Sequence, residues 1–158
     1  DTDGVLDAAD YVCAGDLEVG RCGNADTLEE CTGAADEVQL FVPLTDGDAV
    51  RIMQGYQGAR MFALAARTID IAPGDSGSAD SAPLVDTVVR RSEYSVVGRT
   101  RAWTPFMVDT ESQDQFIATG IYVLLDGSVG AGQTLSAEIR LDDVDGVSRC
   151  GTLSFVAQ

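Results

Sequence analysis

The stretch Leu135-Ser136-Ala137-Glu138-Ile139-Arg140-Leu141 decides the fold class, because apolar and polar residues alternate strictly along it. A period of two is typical of a β-strand that has one face in a core and the other in water. The turn residues 142–146 then lead to a second apolar run through Leu153 and Phe155. The end of the chain therefore predicts a β-hairpin with one polar face.

Similar signals recur upstream as far as residue 37. In residues 61–71 the apolar positions change parity, which predicts a bulge near Arg67. Gly98 separates two apolar segments and predicts a break between strands. Residues 116–125 are apolar on both parities, as in a central strand covered on both faces. The predicted strands before the terminal hairpin are 38–44, 50–53, 61–71, 84–97, 99–108 and 116–125.

This pattern predicts an all-β protein. Seven to nine short strands separated by turn residues, without a long helical period, favour an antiparallel β-sandwich that is immunoglobulin-like or a jelly-roll. Residues 1–35 differ, because they show no period-two pattern and contain three of the four cysteines. We therefore predict an irregular, disulfide-linked, acidic segment over residues 1–35 and the sandwich over residues 36–158.

The charge of the chain excludes several classes of function. The 158 residues include 26 acidic and 10 basic side chains, all ten of them Arg, and no His. A net charge of −16 argues against nucleic-acid partners and insertion into anionic membranes. Gly74-Asp75-Ser76-Gly77-Ser78 copies a serine-protease nucleophile, but without His or Lys the chain has no base for it. We predict a protein that is not an enzyme, with a secreted hydrolase using carboxylates as the alternative.

The four cysteines indicate disulfides. Cys13, Cys22 and Cys31 are evenly spaced and Cys150 lies far away, whereas zinc sites favour close pairs. We expect one bridge among the first three and a second from the remaining one to Cys150. Two bridges predict an extracellular or cell-surface location.

An aspartate-rich run at the start of the chain points to calcium. Calcium takes six to eight oxygen ligands, and closely spaced aspartates supply them if the backbone wraps around the ion at a glycine such as Gly4. The candidate ligands are Asp1, Asp3, Val5 through its carbonyl, Asp7 and Asp10. The alternative is a solvated acidic tail.

This run, D-x-D-G-x-x-D-x-x-D, resembles the thrombospondin type 3 repeat, in which an aspartate-rich calcium loop is followed by a cysteine. Here the cysteine is Cys13, three residues after Asp10, where the repeat usually has two. The first aspartate of the repeat would fall two residues before Asp1. The resemblance covers about thirteen residues and implies calcium as a cofactor.

A second resemblance covers residues 43–58. The P-L-x-D-G-D turn and the following G-x-Q-G are similar to secreted or lipid-anchored bacterial β-sandwich domains. The absence of Lys beside abundant Ala, Gly, Asp and Arg is also typical of bacteria with GC-rich genomes. This resemblance implies fold and location and carries no activity.

Arg99, Arg101 and Trp103 form the candidate partner site. On a strand, side chains two residues apart lie about 7 Å from one another on one face. Guanidinium groups beside a tryptophan can hold carboxylates or stack on sugars. In the alternative interpretation, the arginines neutralise an acidic surface while Trp103 packs at the edge of the core.

The sequence thus predicts a non-catalytic binding or structural module that is stiffened by calcium and disulfides. Its partners would be a protein or glycan at the cell surface, or other copies of the chain. A subunit of an extracellular filament or surface layer is the alternative, in which strand edges or the N-terminal segment join neighbouring copies.

Overall fold

A computed structural model describes residues 13–22, 41–75, 77–109 and 114–158. These residues form eleven β-strands and no α-helix, so the all-β prediction is confirmed. The strands are β1 (Glu18–Arg21), β2 (Val42–Pro43), β3 (Ala49–Val50), β4 (Met53–Gln54), β5 (Arg60–Ile69), β6 (Leu84–Ser92), β7 (Ser95–Trp103), β8 (Met107–Val108), β9 (Gln115–Leu124), β10 (Thr134–Asp142) and β11 (Ser148–Ala157). Seven of them have four or more residues, and four have only two.

The strands form the two sheets of a β-sandwich. The first sheet has the order β2-β1-β5-β9-β8, with β4 also paired to β5, and the second has the order β3-β11-β10-β6-β7. All pairs are antiparallel except β3 with β11, which run parallel. The chain changes sheets between β3 and β4, at Arg51 and Ile52, which the sequence had placed within one strand.

The core lies between the inner faces of the sheets. Phe62 of the first sheet meets Phe155 of the second edge to face, with ring centroids 5.0 Å apart. Both side chains are fully buried, and so are Leu64, Ile139 and Leu141. The terminal hairpin has the predicted form, because the alternating side chains of β10 fill this core while β11 pairs with it along its length.

The first sheet is also partly buried on its outer face. Ile117 of β9 packs there with Phe41 and Ala65, and the Arg67 guanidinium lies 4.5 Å above the Phe41 ring. This second apolar layer explains why the sequence of β9 is apolar on both parities. Phe41 is itself buried in this layer.

The expected break at Gly98 is wrong. The turn between β6 and β7 falls at residues 93–94, and Gly98 lies within β7 opposite Val89. A Cβ atom at Gly98 would come within 2.7 Å of the Leu124 carbonyl oxygen. Glycine is thus required here for the close approach of β9, and not for a turn.

The bulge expected near Arg67 lies on the partner strand. The register between β5 and β9 shifts between Leu64 and Ala66, and the extra residue is in β9 beside Gly120, whose φ is +71°. Because β5 itself continues without interruption, Ile69 falls on the outer face and is exposed.

The prediction that residues 1–35 contain no strand is wrong for residues 18–21. β1 pairs with both β2 and β5, and Leu17 and Val19 are buried in the main core. Four residues are too few to show a period of two. The predicted domain boundary near residue 36 lies outside the described residues.

The two lateral edges of the sandwich differ in construction. At the closed edge, Asp16 and Leu17, just before β1, lie against Arg149–Gly151 of β11, where the Leu17 N–H donates to the Cys150 carbonyl over 3.1 Å. At the open edge, β7 meets the end of β9 through a bridge between Gly98 and Leu125. The candidate partner site lies at the open edge.

Candidate binding site

The three predicted side chains lie on the outer face of β7, the last strand of the second sheet. Arg99, Arg101 and Trp103 stand opposite Val88, Asp86 and Leu84 of β6, respectively. The intervening β6 residues Val85, Thr87 and Val89 are buried in the core. Alternation along the strand therefore places all three candidates together on the solvent side, as the sequence predicts.

Arg99 is neutralised within the sheet. Its Nε and Nη2 donate to the two carboxylate oxygens of Asp86 over 3.2 and 2.8 Å. The pKa of the Arg99 guanidinium is raised above its ordinary value, first by this hydrogen bond and then by the charge of Asp86. Arg99 is thus a fixed ion pair, as the neutralising interpretation expected.

Arg101 is different, although it stands directly opposite Asp86. The Asp86 carboxylate is turned to Arg99, and Arg101 makes no hydrogen bond or ion pair with any residue that the structure describes. Its side chain is exposed. Arg101 therefore presents a positive charge to solvent in a strongly acidic chain.

Trp103 does not pack at the edge of the core. It is 55% exposed, beside a half-buried Leu84. An exposed tryptophan next to an exposed guanidinium offers an aromatic face and a charge to the same ligand. For this residue the core-edge interpretation is wrong.

The two arginines just upstream belong to the sandwich. Arg90 approaches Glu138 of the neighbouring β10, with Nη1 and Oε2 3.8 Å apart. The Arg91 Nη2 donates to the carbonyl and hydroxyl oxygens of Ser128 over 3.0 and 2.7 Å. Both arginines connect strands or loops, so the candidate site consists of Arg101 and Trp103 with Arg99 at its border.

The last residues of β7 extend beyond the core, which the sequence did not reveal. Arg101, Ala102 and Trp103 are consecutive and all exposed, so both faces of the strand are open there. Ala102 belongs by parity to the inner face, and its exposure shows that the sheets no longer cover this segment. Local alternation predicts a face, whereas position at a sheet edge depends on the pairing of distant strands.

The cysteines agree in part with the expected pattern. Cys13 and Cys150 form a disulfide across a sequence separation of 137, which joins the start of the described chain to β11. Cys22 is also disulfide-bonded and is buried. Cys31 lies outside the described residues.

The calcium ligands predicted at Asp1, Asp3, Val5, Asp7 and Asp10 also lie outside the described residues. Among the residues that are described, no group of three or more acidic or cysteine side chains is placed to hold a metal ion. The aspartate-rich stretch 142–146 ends β10 and forms the following turn, in which Asp143 accepts backbone N–H groups. Ser76, in the protease-like stretch, is not described either.

Comparison with known proteins adds no family. No protein-family model matches the chain, and a search of curated proteins finds no significant relative. In the part of the chain that the structure describes, no helix has the length and apolar character needed to cross a membrane.

Proposed function

We propose that this protein is a non-catalytic, extracytoplasmic binding module that holds a carboxylate-bearing partner at Arg101 and Trp103. The observation that carries the proposal is the guanidinium of Arg101, which has no partner among the described residues and lies beside an exposed tryptophan in a chain whose net charge is −16. Other arginines on the same sheet face an acceptor, as Arg99 does with Asp86. A cation to which the described part of the chain offers no acceptor is available to an acidic ligand from outside.

The chemistry of the two side chains defines the ligand class. A guanidinium forms paired hydrogen bonds with a carboxylate, and the indole face packs against an apolar group or a sugar ring. An acidic peptide and a uronic-acid glycan both have this combination. The disulfides at Cys13, Cys22 and Cys150 support a location outside the cytoplasm, where such bonds persist.

Calcium belongs to the same proposal as a stiffening ion, and not as part of the partner site. The proposal depends on the spacing of Asp1, Asp3, Asp7 and Asp10 around Gly4, which precede the disulfide at Cys13. Carboxylate and backbone oxygens are the ligands that calcium prefers. An ion there would order the segment that enters the closed edge.

The test of function compares immobilised ligands. Wild-type protein is applied to a glycan array containing uronic acids and neutral sugars, and to a displayed library of random peptides. We expect retention of acidic members over neutral ones, and weaker retention as salt is raised, because screening shortens the range of the Arg101 charge. Retention of uronic-acid glycans only, or of acidic peptides only, would identify which source supplies the carboxylate.

The variant Arg101→Gln/Trp103→Ala should lose this retention while melting like wild type, since both side chains are exposed. Arg51→Gln is the charge control, because it removes one positive charge between β3 and β4 and leaves Arg101 and Trp103 in place. The proposal fails if wild type retains no acidic ligand, or if the double variant retains ligands as well as wild type does.

The filament alternative receives a separate measurement. Sedimentation of wild-type protein over a range of concentrations shows whether copies associate. Arg99 and Arg101 lie on one strand, so pairing β7 with a second β7 brings like charges together, which is unfavourable. We therefore expect residues 99–103 not to join two copies of the chain, and wild-type protein to sediment as a monomer.

A further inference from the structure

We propose that the partner binds by strand addition: an extended acidic peptide segment of another protein pairs with the outer backbone edge of β7 at Arg101–Trp103, an edge that no described strand occupies. This inference rests on the proposed function and specifies how the ligand is held. It makes the backbone, and not only the side chains, the source of the contact.

The direction of the backbone groups in β7 follows from two hydrogen bonds. The Val97 carbonyl accepts from the N–H of Asp126 over 2.8 Å, on the side away from β6. The Thr104 N–H donates to the Pro83 carbonyl over 2.8 Å, on the β6 side. Because successive residues of a strand direct their N–H and C=O groups to opposite sides, Arg101 and Trp103 share the side of Val97. Their N–H and C=O groups therefore point away from β6, toward the outer edge of the sheet.

No described strand pairs with β7 beyond this point. The bridge to β9 is at Gly98 and Leu125, and β9 is next paired on that side by β8, at Ile117 and Phe116. Between these two contacts, β7 is the terminal strand of its sheet and its last three residues are exposed. An unpaired edge of this kind is a template for an incoming extended segment.

The side chains of β7 specify the incoming segment. The strand contains two arginines and no acidic residue. Residues that face each other in neighbouring strands interact directly, so an acid is favoured opposite Arg101 and an apolar residue opposite Trp103. Since those two positions are two residues apart, the matching peptide carries an acid and an apolar residue separated by one residue. A second copy of β7 lacks the acid, and this excludes it as the favoured occupant.

The experiment measures the backbone directly. A peptide is first selected on wild-type protein from a displayed library of random peptides, and we expect enrichment of an acid and an apolar residue at alternate positions. Amide hydrogen exchange of the labelled protein is then followed by NMR with this peptide at saturation. With the peptide bound, the Arg101 and Trp103 amides should exchange at about one tenth of their rate in the free protein or below it, because strand pairing protects them.

Two controls accompany this measurement. The Thr100 amide should not change, because it faces β6 and is already within the sheet. Two peptides methylated at alternate backbone nitrogens provide the second control. Methylation of the nitrogens that face β7 should weaken binding about tenfold, and methylation of those that face away should weaken it little.

The outcomes separate the two proposals. If binding requires Arg101 and Trp103 but neither the amides nor N-methylation respond, the ligand lies on the face of the sheet; strand addition is then wrong and the proposed function stands. If no acidic peptide is enriched, or the selected peptide binds Arg101→Gln/Trp103→Ala as well as wild type, both fail for a peptide partner.

Discussion

The closed and open edges of the sandwich differ in how the two sheets are joined. At the closed edge a disulfide joins Cys13 to Cys150, and Asp16 accepts the Cys150 N–H over 2.8 Å. At the open edge the sheets meet at Gly98 and Leu125, and β7 then continues to Trp103, paired with β6 on one side and with no described strand on the other. A sheet edge that is covered covalently contributes to stability, whereas one left unpaired remains available to a partner. Under the proposed function, stability and binding are therefore assigned to opposite edges of the sandwich.

The largest expected effect comes from opening the closed edge. Replacing Cys13 and Cys150 together by Ser should lower the free energy of unfolding by about 3 to 5 kcal/mol, because the bridge restricts a long loop in the unfolded chain. Urea unfolding of wild type and variant measures the difference. Peptide capture by the variant, measured below its unfolding transition, should be retained, since Arg101 and Trp103 lie at the other edge.

A loss below about 1 kcal/mol would show that the noncovalent contacts of Asp16 and Leu17 alone close this edge. Loss of capture by folded variant would show that the two edges are coupled.

Adding one methyl group at each edge compares them directly. A Cβ at Gly151 would come within 2.0 Å of the Leu17 carbonyl oxygen, against 2.7 Å from the Leu124 oxygen for Gly98. Backbone atoms must move in both cases, so we expect Gly151→Ala to cost about 2 to 3 kcal/mol and Gly98→Ala about 1 to 2 kcal/mol. Denaturant unfolding of both variants provides the values.

Gly130→Ala is the control for this pair, because nothing lies within 4 Å of its Cβ position. Its stability should stay within about 0.5 kcal/mol of wild type. If Gly98→Ala is the more harmful of the two edge variants, the open edge is packed as tightly as the closed one and the comparison is wrong.

The sequence predicts what is local and fails where distant strands meet. The alternation of Leu135, Ala137, Ile139 and Leu141 correctly gave a half-buried strand, because one face of it meets the core. At Gly98 the sequence predicts a break between strands, because glycine often interrupts strands and the approach of Leu124 is not visible in the sequence. β1 was missed because its pairing with β5, and not its own pattern, makes it a strand.

The candidate site shows the same division. Parity alone placed Arg99, Arg101 and Trp103 on one face, and the structure agrees. The sequence did not distinguish Arg99, paired with Asp86, from Arg101, which has no partner among the described residues. That distinction depends on the register of β6 against β7. The solvent exposure of Ala102 depends on where the sheets end.

A third contact between the sheets, apart from the two edges, also contributes to the stability of the sandwich. Asp143, in the turn after β10, accepts the Ala72 N–H over 2.8 Å together with the N–H groups of Asp145 and Val147. Burial raises the pKa of its carboxyl, but the three backbone donors and the charge of Arg149 outweigh this, and the pKa lies below its usual value. Asp143→Asn should cost about 1 to 3 kcal/mol at neutral pH, because the Ala72 N–H loses its charged acceptor.

The pH dependence has a defined sign. A carboxyl with a lowered folded-state pKa contributes stability that is present above its unfolded pKa of about 3.9 and is lost as the pH falls through the folded value. Wild type should therefore lose stability in that acidic range more steeply than Asp143→Asn. Asp145→Asn, which alters an exposed side chain in the same turn, should follow wild type; parallel curves for all three proteins would contradict the role of Asp143.

The smallest expected effect concerns calcium beside the closed edge. If Asp1, Asp3, Asp7 and Asp10 bind an ion just before Cys13, calcium adds to the stability of this edge and not to the open one. With a dissociation constant on the order of 10⁻⁴ to 10⁻³ M, calcium at one to ten times that value stabilises by about 0.4 to 1.4 kcal/mol. Thermal unfolding in calcium and in chelator should show this small difference, and titration calorimetry should give saturable heat.

Asp3→Ala/Asp7→Ala should lose both signals, whereas Asp80→Ala/Asp145→Ala, which removes the same charge from exposed turns, should keep them. Identical melting in calcium and chelator without heat would leave a solvated acidic segment, and the closed edge would then depend on its disulfide and backbone contacts alone.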